Sequence, residues 1–172
     1  MTGIVVRCSL FVDRLRTTIP EQRIRAQSML PILRILTGLI FVVSGAEKLI
    51  WPWQNFLYAI QSYEFFPPGA DAVVAHVFPW IEFLTGLFLA LGLWVGSSLK
   101  AALVMYSAFI LIIAQALIRH LPINECGCFG ALLSLKPQHT LLMDSFFFLS
   151  LIWLLKNVKG AEKFSLDAYF KK

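Results

Sequence analysis

Two cysteines lie close together in the segment NECGCFG at residues 124–130. A disulfide between Cys126 and Cys128 would close a ring too small for relaxed disulfide geometry, and strain makes such a bond easier to reduce. Gly127 favours this arrangement because glycine tolerates backbone angles that other residues avoid. Cys126 and Cys128 are therefore predicted to be a catalytic thiol–disulfide pair that gains and loses electrons.

Two other interpretations of this pair stay open. The cysteines could form a static disulfide that staples the loop, or remain thiols that never pair. A metal site is the other alternative, since His120 and His139 flank the pair and would complete a Cys2His2 set with Cys126 and Cys128, although the spacing is not a familiar zinc pattern. The third cysteine, Cys8, is distant in sequence, so the odd count fits one local pair plus one unrelated thiol.

Ionisable side chains within apolar stretches, or at their ends, form a second candidate group. Charges in hydrocarbon are unfavourable unless paired or hydrated, so such residues usually face the interior of a helix bundle and mark function. We expect Lys48 to pair with Glu82, and Asp144 with Arg119. For the groups at the helix ends, anchoring in reach of water is the simpler alternative. The group comprises Glu47, Lys48, Glu82, Arg119, His120 and Asp144, with Arg34 near the opposite end as a topology residue or a further pairing partner.

Four apolar stretches, each long enough to cross a bilayer as a helix, must position these residues. Of 172 residues, 58% are hydrophobic and 15% are charged, which is typical of an integral membrane protein and argues against a soluble globule. The predicted fold class is all-α, an integral membrane four-helix bundle with both termini in the cytoplasm. The spans are predicted at about 29–50, 72–95, 99–118 and 140–158, preceded by a basic extension at 1–28 and followed by a basic tail at 159–172.

The connections between the spans are short. The loop at 51–71 carries aromatic residues that suit the headgroup level, so much of it is expected along the membrane surface. A turn at Gly96-Ser97-Ser98 would make the second and third spans antiparallel neighbours. The loop at 119–139 carries the cysteine pair. The extension at 1–28 lacks the features of a signal peptide and is either a surface-lying amphipathic segment or untranslated sequence before a start at Met29.

The basic residues predict the orientation of the chain. Twelve of the 15 Lys and Arg residues fall on the side that holds both termini, and only Lys48, Arg119 and Lys136 fall on the other. An excess of Lys and Arg marks the cytoplasmic side, so the cysteine pair is predicted on the opposite, extracytoplasmic side. Because these residues cluster beside apolar spans instead of forming a groove with interleaved aromatics, the net charge of +5 does not indicate nucleic-acid binding.

Over residues 30–158 the sequence resembles the MauE/DoxX family of redox-associated membrane proteins, and it is more similar to the methylamine utilisation MauE branch than to DoxX proper. The matching residues are Arg34, Gly38, Ser44-Gly45-x-x-Lys48-Leu49, Tyr63, Pro67, Pro79-x-x-Glu82, Gly86, Cys126-Gly-Cys128-Phe129-Gly130 and Asp144.

The resemblance implies a multi-pass protein of the bacterial inner membrane that works with a periplasmic thioredoxin-like partner. The implied process is disulfide formation or the maturation of exported proteins such as methylamine dehydrogenase, with a membrane quinone as a possible electron carrier. It also implies that Lys48, Glu82 and Asp144 support the redox pair from the bundle interior. We expect Arg119 and Tyr63 to be further supporting residues. A non-catalytic scaffold, in which the cysteines form a structural or metal-binding clasp, is the alternative function.

Overall fold

A computed structural model of the protein describes residues 29–67, 69–121, 137–161 and 165–170. Throughout these residues the regular structure is helical, and four helices are long and apolar enough to cross a membrane. The predicted all-α architecture with four spans is therefore confirmed. The helices are α1 Met29–Ile50, α2 Trp53–Ser62, α3 Ala70–Leu91, α4 Val95–Ile118, α5 Pro137–Lys156, α6 Val158–Ala161 and α7 Leu166–Phe170.

The four long helices expose apolar side chains and bury most of their charged ones. Ile32, Val104, Leu111 and Phe146 are each more than 60% exposed although they lie within the spans. A bilayer accepts such surfaces because lipid tails are as apolar as leucine. The charged and polar side chains that lie away from the helix ends turn inward, where other helices can supply partners.

Helices α1 and α3 cross with their backbones in contact. A Cβ added at Gly86 would lie 2.6 Å from the Val42 nitrogen, and one at Gly38 would lie 2.6 Å from the Ala90 nitrogen. A Cβ at Gly45 would likewise meet the backbone of Phe83. Small residues allow this close approach in membranes, where helix association depends on van der Waals packing.

The connection between α3 and α4 lies four residues earlier than the predicted Gly96-Ser97-Ser98 turn. Gly92 ends α3 in the left-handed region at φ +73°, and its N–H donates to the Phe88 carbonyl over 2.9 Å. Glycine favours this helix ending because it has no Cβ. The predicted turn position was wrong because Gly96 and Ser98 belong to the first turn of α4.

We call the end of the bundle where α1 begins and α5 ends the tail end, and the opposite end, where α1 ends and α5 begins, the loop end. At the tail end, α6 and α7 fold back onto the bundle. Arg34 of α1 is fully buried and its Nη1 donates to the Ala161 carbonyl at 2.8 Å. The Asp167 carboxylate accepts from the Val95 N–H at 3.2 Å and so satisfies a free donor at the start of α4. The predicted tail thus includes helices that complete this end, and Arg34 has a pairing role.

Candidate functional site

A buried ion pair joins α1 to α3 near the loop end. Lys48 Nζ lies 3.1 Å from Glu82 Oε2, and the two side chains are 2% and 4% exposed. The pairing predicted for these residues is therefore present. The ammonium also donates to Ser44 Oγ at 2.6 Å, one helical turn earlier on α1, and lies 5.4 Å from the centre of the Phe56 ring. These contacts restrict the rotation of the long Lys48 side chain.

Asp144 of α5 faces the same interior. A small cavity of about 20 Å³ lies between α1, α3, α4 and α5, and its polar lining comes from Ser44, Glu82, Tyr106 and Asp144. Asp144 is 4% exposed. Tyr106 is fixed at this position because its ring packs edge-on against Phe41, with 5.0 Å between the ring centres. A cavity of this volume accommodates about one water molecule, and the lining offers it several hydrogen-bond partners.

Glu47 adds a third buried carboxyl group. Glu47 precedes Lys48 on α1 and is 6% exposed. It lies close enough to Glu82 for the negative charges of the two carboxylates to repel each other. Among the residues that the structure describes, Lys48 is the one buried cation in this half of the bundle, since Arg34 lies at the tail end. The described, buried side chains of this half thus include three carboxyl groups and one cation.

Arg119 lies at the surface of the loop end and contacts Glu64. Its Nη2 is 2.7 Å from Glu64 Oε2, and the two side chains are 45% and 61% exposed. The predicted pairing of Arg119 with Asp144 is wrong: Arg119 follows the last residue of α4 and reaches the connection after α2, whereas Asp144 points into the bundle. Arg119 is thus an anchor at the helix end, the simpler of its two predicted roles.

Tyr63 follows α2 and is buried at 6% exposure, packed against neighbouring helices. It packs with Ile113 and Ala116 of α4. Tyr63 and Ile60 also line an apolar cavity of about 100 Å³ between α2, α3 and α4. Phe109 lines both this cavity and the polar one beside Glu82 and Asp144, so the two cavities adjoin the same side chain.

Cys126 and Cys128 lie outside the described residues, so their predicted redox role and the possible Cys2His2 set remain predictions. His120 and His139, which would complete that set, are exposed. Within the described part of the chain, no three His, Cys, Asp or Glu side chains are grouped to hold a metal ion.

Three residues outside the ionisable group named from the sequence also contribute to these contacts and to the cavity lining: Ser44, Tyr106 and Glu64. Ser44 could have been inferred from its position four residues before Lys48, which places both on one helix face. Tyr106 carries a hydroxyl in the middle of an apolar span, which is a weaker signal. Nothing in the sequence pairs Glu64 with Arg119, because that contact depends on the path of the chain after α2.

Comparison with known proteins gives one family. Neither the curated proteins nor the solved structures include a match to this chain. The profile of the family described as methylamine utilisation protein MauE matches residues 26–157, which include all four spans, the ion pair, Asp144 and the cysteine pair. The resemblance to MauE is thereby confirmed: this multi-pass membrane protein belongs to the MauE family, whose name places it in methylamine utilisation.

Proposed function

We propose that the chain is a thiol–disulfide redox protein of the bacterial inner membrane, with Cys126 and Cys128 as its reactive pair on the periplasmic side. The main observation in support of this proposal is the location of the buried ionisable residues Lys48, Glu82 and Asp144. Leu121 packs at the loop end and α5 begins there at Pro137, so the described residues that flank the cysteine segment lie at the same end as Lys48, Glu82 and Asp144. The excess of Lys and Arg at the other end supports a periplasmic loop end.

The exchange we propose transfers two electrons between two pairs of sulfur atoms. A thiolate of a periplasmic thioredoxin-like partner attacks one sulfur of the Cys126–Cys128 disulfide, and the mixed disulfide is resolved by the partner's second thiol. Cys126 and Cys128 end as two thiols, the partner ends as a disulfide, and two protons move with the electrons. The same steps run in reverse if the partner is the oxidant. In methylamine utilisation, such an exchange would serve the maturation of disulfide-containing exported proteins, with methylamine dehydrogenase as the candidate substrate.

A membrane quinone is the proposed carrier on the lipid side. When bound, it supplies an acceptor for two electrons and two protons. The apolar cavity between α2, α3 and α4 is the proposed site of contact with the quinone ring, since its lining includes Phe56, Phe66, Phe78 and Phe109 together with the Tyr63 side chain. The carboxyl groups of Glu82 and Asp144 lie beyond Phe109 and would hold protons near that acceptor.

The reduction potential of the cysteine pair tests this proposal. Purified protein carrying Cys8→Ser, which leaves a single pair, is equilibrated in a series of glutathione buffers and alkylated, with and without added quinone. We expect a potential well above about −300 mV, the upper range of structural disulfides, and reoxidation that depends on quinone. Cys126→Ser and Cys128→Ser should each abolish the exchange while leaving the bundle folded.

A bridge that resists reduction, or thiols that never pair, would contradict the proposal and favour the scaffold alternative. Loss of folding in the single cysteine variants would also favour a structural clasp. A reduction potential in the expected range, with reoxidation that does not depend on quinone, would support thiol exchange but contradict the role of the quinone.

A further inference from the structure

Gln115 of α4 carries a buried polar atom that has no hydrogen-bond partner. Its Oε1 is shielded from solvent, and among the described residues none donates a hydrogen bond to it. Burial of an acceptor without a donor is unfavourable, because the amide has lost its hydrogen bonds to water and gained none in exchange. A buried atom of this kind needs an explanation, and a ligand that supplies the missing donor is one.

The position of Gln115 on α4 places it beside the apolar cavity between α2, α3 and α4. Ala108 and Ile112 line that cavity, and Gln115 follows them by seven and three residues, so all three lie on one face of the helix. Arg119, one turn further, reaches Glu64 in the connection after α2. The Gln115 amide therefore lies between the cavity and that connection, about 4–5 Å along the helix axis from Ile112.

The cavity itself is suited to an apolar ligand that enters only in part. Its volume is about 100 Å³, and its lining side chains are hydrocarbon apart from the Tyr63 hydroxyl. Buried water needs about two to four polar partners, whereas apolar cavities stay dry or bind apolar molecules. Most of the lining side chains, among them Phe56, Val74 and Phe109, are only half-buried, so the cavity reaches the protein surface. A ligand can thus place one part inside and keep the rest in the bilayer.

The two redox forms of a quinone differ at the atoms that the Gln115 amide would meet. An oxidised quinone presents carbonyl oxygens, which only accept hydrogen bonds, whereas a quinol presents hydroxyl groups, which also donate. Since the buried atom of Gln115 is an acceptor, the quinol supplies the donor that is missing and the quinone does not. A phospholipid acyl chain would fill the cavity but would bring no donor to the amide.

We propose that Gln115 is a binding residue for the reduced form of the membrane carrier, with Oε1 as the acceptor of a hydrogen bond from a quinol hydroxyl. This inference rests on the quinone of the proposed function, and it adds the residue that distinguishes the two redox forms. Because this hydrogen bond forms with the quinol alone, the site binds the quinol more tightly than the quinone.

The preference for the quinol has a consequence for electron transfer. Reduction of the quinone takes up two electrons and two protons, which is what the oxidation of Cys126 and Cys128 to a disulfide releases. Tighter binding of the quinol raises the reduction potential of the bound carrier above that of the free one. Gln115 therefore favours transfer from the two thiols to the quinone over the reverse reaction.

Ligand binding to the purified protein in detergent micelles tests this assignment. The protein carries Cys126→Ser/Cys128→Ser, so that the ligand cannot exchange electrons with the pair. Isothermal titration calorimetry with decylubiquinol under argon, and with decylubiquinone, gives the affinity for each form, and the quinol should bind more tightly. Gln115→Met has a side chain of similar length without the acceptor. It should weaken quinol binding by about 2–10-fold, the loss expected for one neutral hydrogen bond, and quinone binding should not fall.

Two further comparisons separate the cavity from the amide. Ala108→Phe fills the cavity and should weaken the binding of both forms equally, whereas Val104→Phe, one turn earlier on the lipid-exposed face of α4, should leave both affinities unchanged. Gln54→Met removes an exposed glutamine of α2 and should also have no effect. Thermal unfolding of each variant establishes that a lost affinity does not reflect a lost fold.

Several outcomes would overturn the inference. An unchanged quinol affinity in Gln115→Met would remove this residue from the site, and an equal loss for both forms would refute selection by Oε1. If neither form binds even with Gln115 in place, this inference and the quinone of the proposed function both fail. Thiol exchange is measured separately, with glutathione and the intact pair. Its absence alongside the expected quinol binding would contradict the proposed function and leave this inference standing.

Discussion

The two ends of the bundle both bury charged side chains, but they balance them in different ways. At the tail end, the Arg34 guanidinium donates to the Ala161 carbonyl and is attracted electrostatically by the Asp167 carboxylate. At the loop end, the Lys48 ammonium forms an ion pair with the Glu82 carboxylate of the neighbouring helix α3. The tail end therefore relies on a hydrogen bond to a backbone carbonyl, whereas the loop end relies on an ion pair between two side chains. Loss of one partner should be more destabilising at the loop end, because it leaves a buried charge without its counterion.

The largest effect should follow from breaking the ion pair at the loop end. Lys48→Met leaves Glu82 buried without its cation, and loss of one partner from a buried pair destabilises proteins by about 3–5 kcal/mol. Thermal unfolding in detergent micelles should show a correspondingly lower midpoint. The double variant Lys48→Met/Glu82→Met should recover most of the loss, since apolar pairs of similar volume replace buried ion pairs with little penalty. A single variant as stable as the wild type would contradict this account.

A smaller effect should follow from opening the tail end. Arg34→Met removes the donor to the Ala161 carbonyl, and an unsatisfied buried carbonyl destabilises by about 1–3 kcal/mol. Limited proteolysis should then cleave the chain after Lys156 faster than in the wild type. The double variant Arg34→Met/Lys48→Met should lose the sum of the two single losses, because the two ends are separate. A loss that departs from this sum would show that the ends are coupled and would contradict the comparison.

Asp167→Asn should have a milder effect at the same end. The carboxylate accepts the Val95 N–H at the start of α4 and acts as a cap supplied from a distant part of the chain. An asparagine can still accept this hydrogen bond but brings no charge to the positive end of the helix, so we expect a loss of about 0.3–1 kcal/mol. Asp167→Ala, which removes the acceptor as well, should lose more. Equal midpoints for the two variants would mean that the hydrogen bond to the Val95 N–H contributes nothing beyond the charge.

The smallest effect is expected for Glu64→Gln. The contact between Glu64 and Arg119 is short, but both side chains are about half-exposed. Exposed ion pairs contribute about 0–1 kcal/mol and are screened by salt. The unfolding midpoint should therefore change little, and any difference should shrink when the salt concentration is raised. A loss comparable to that of Lys48→Met would show that the surface pair matters more than its exposure indicates.

The sequence alone was sufficient to predict the four spans and one central contact between them. The length of the apolar stretches alone predicts the four long helices, because a helix needs about 20 apolar residues to cross the bilayer. The Lys48–Glu82 pair was predictable since two opposite charges at similar depth in neighbouring spans have few other partners. The residues that line the bundle could not be predicted in the same way. Both faces of a membrane helix are apolar, so hydropathy does not mark the buried face.

The remaining errors concern contacts that depend on the path of the chain. The partner of Arg119 was placed on α5, whereas the connection after α2 brings Glu64 to it. The turn after α3 was predicted at Gly96-Ser97-Ser98, yet Gly92 adopts the left-handed conformation that ends the helix. The contact of Arg34 with Ala161 spans 127 positions, and no local pattern encodes it.

The glycine contacts between α1 and α3 have a kinetic consequence for the loop end. Gly38, Gly45 and Gly86 bring the two backbones together, so neither helix can approach the other further when the surroundings of the Lys48–Glu82 pair change. Rearrangements around the Lys48–Glu82 pair must therefore be accommodated by side-chain rotamers. Side-chain rearrangements occur far faster than the collective movements of helices, which take microseconds to milliseconds. The pair should therefore adjust on the fast timescale of side chains, while α1 and α3 keep their positions.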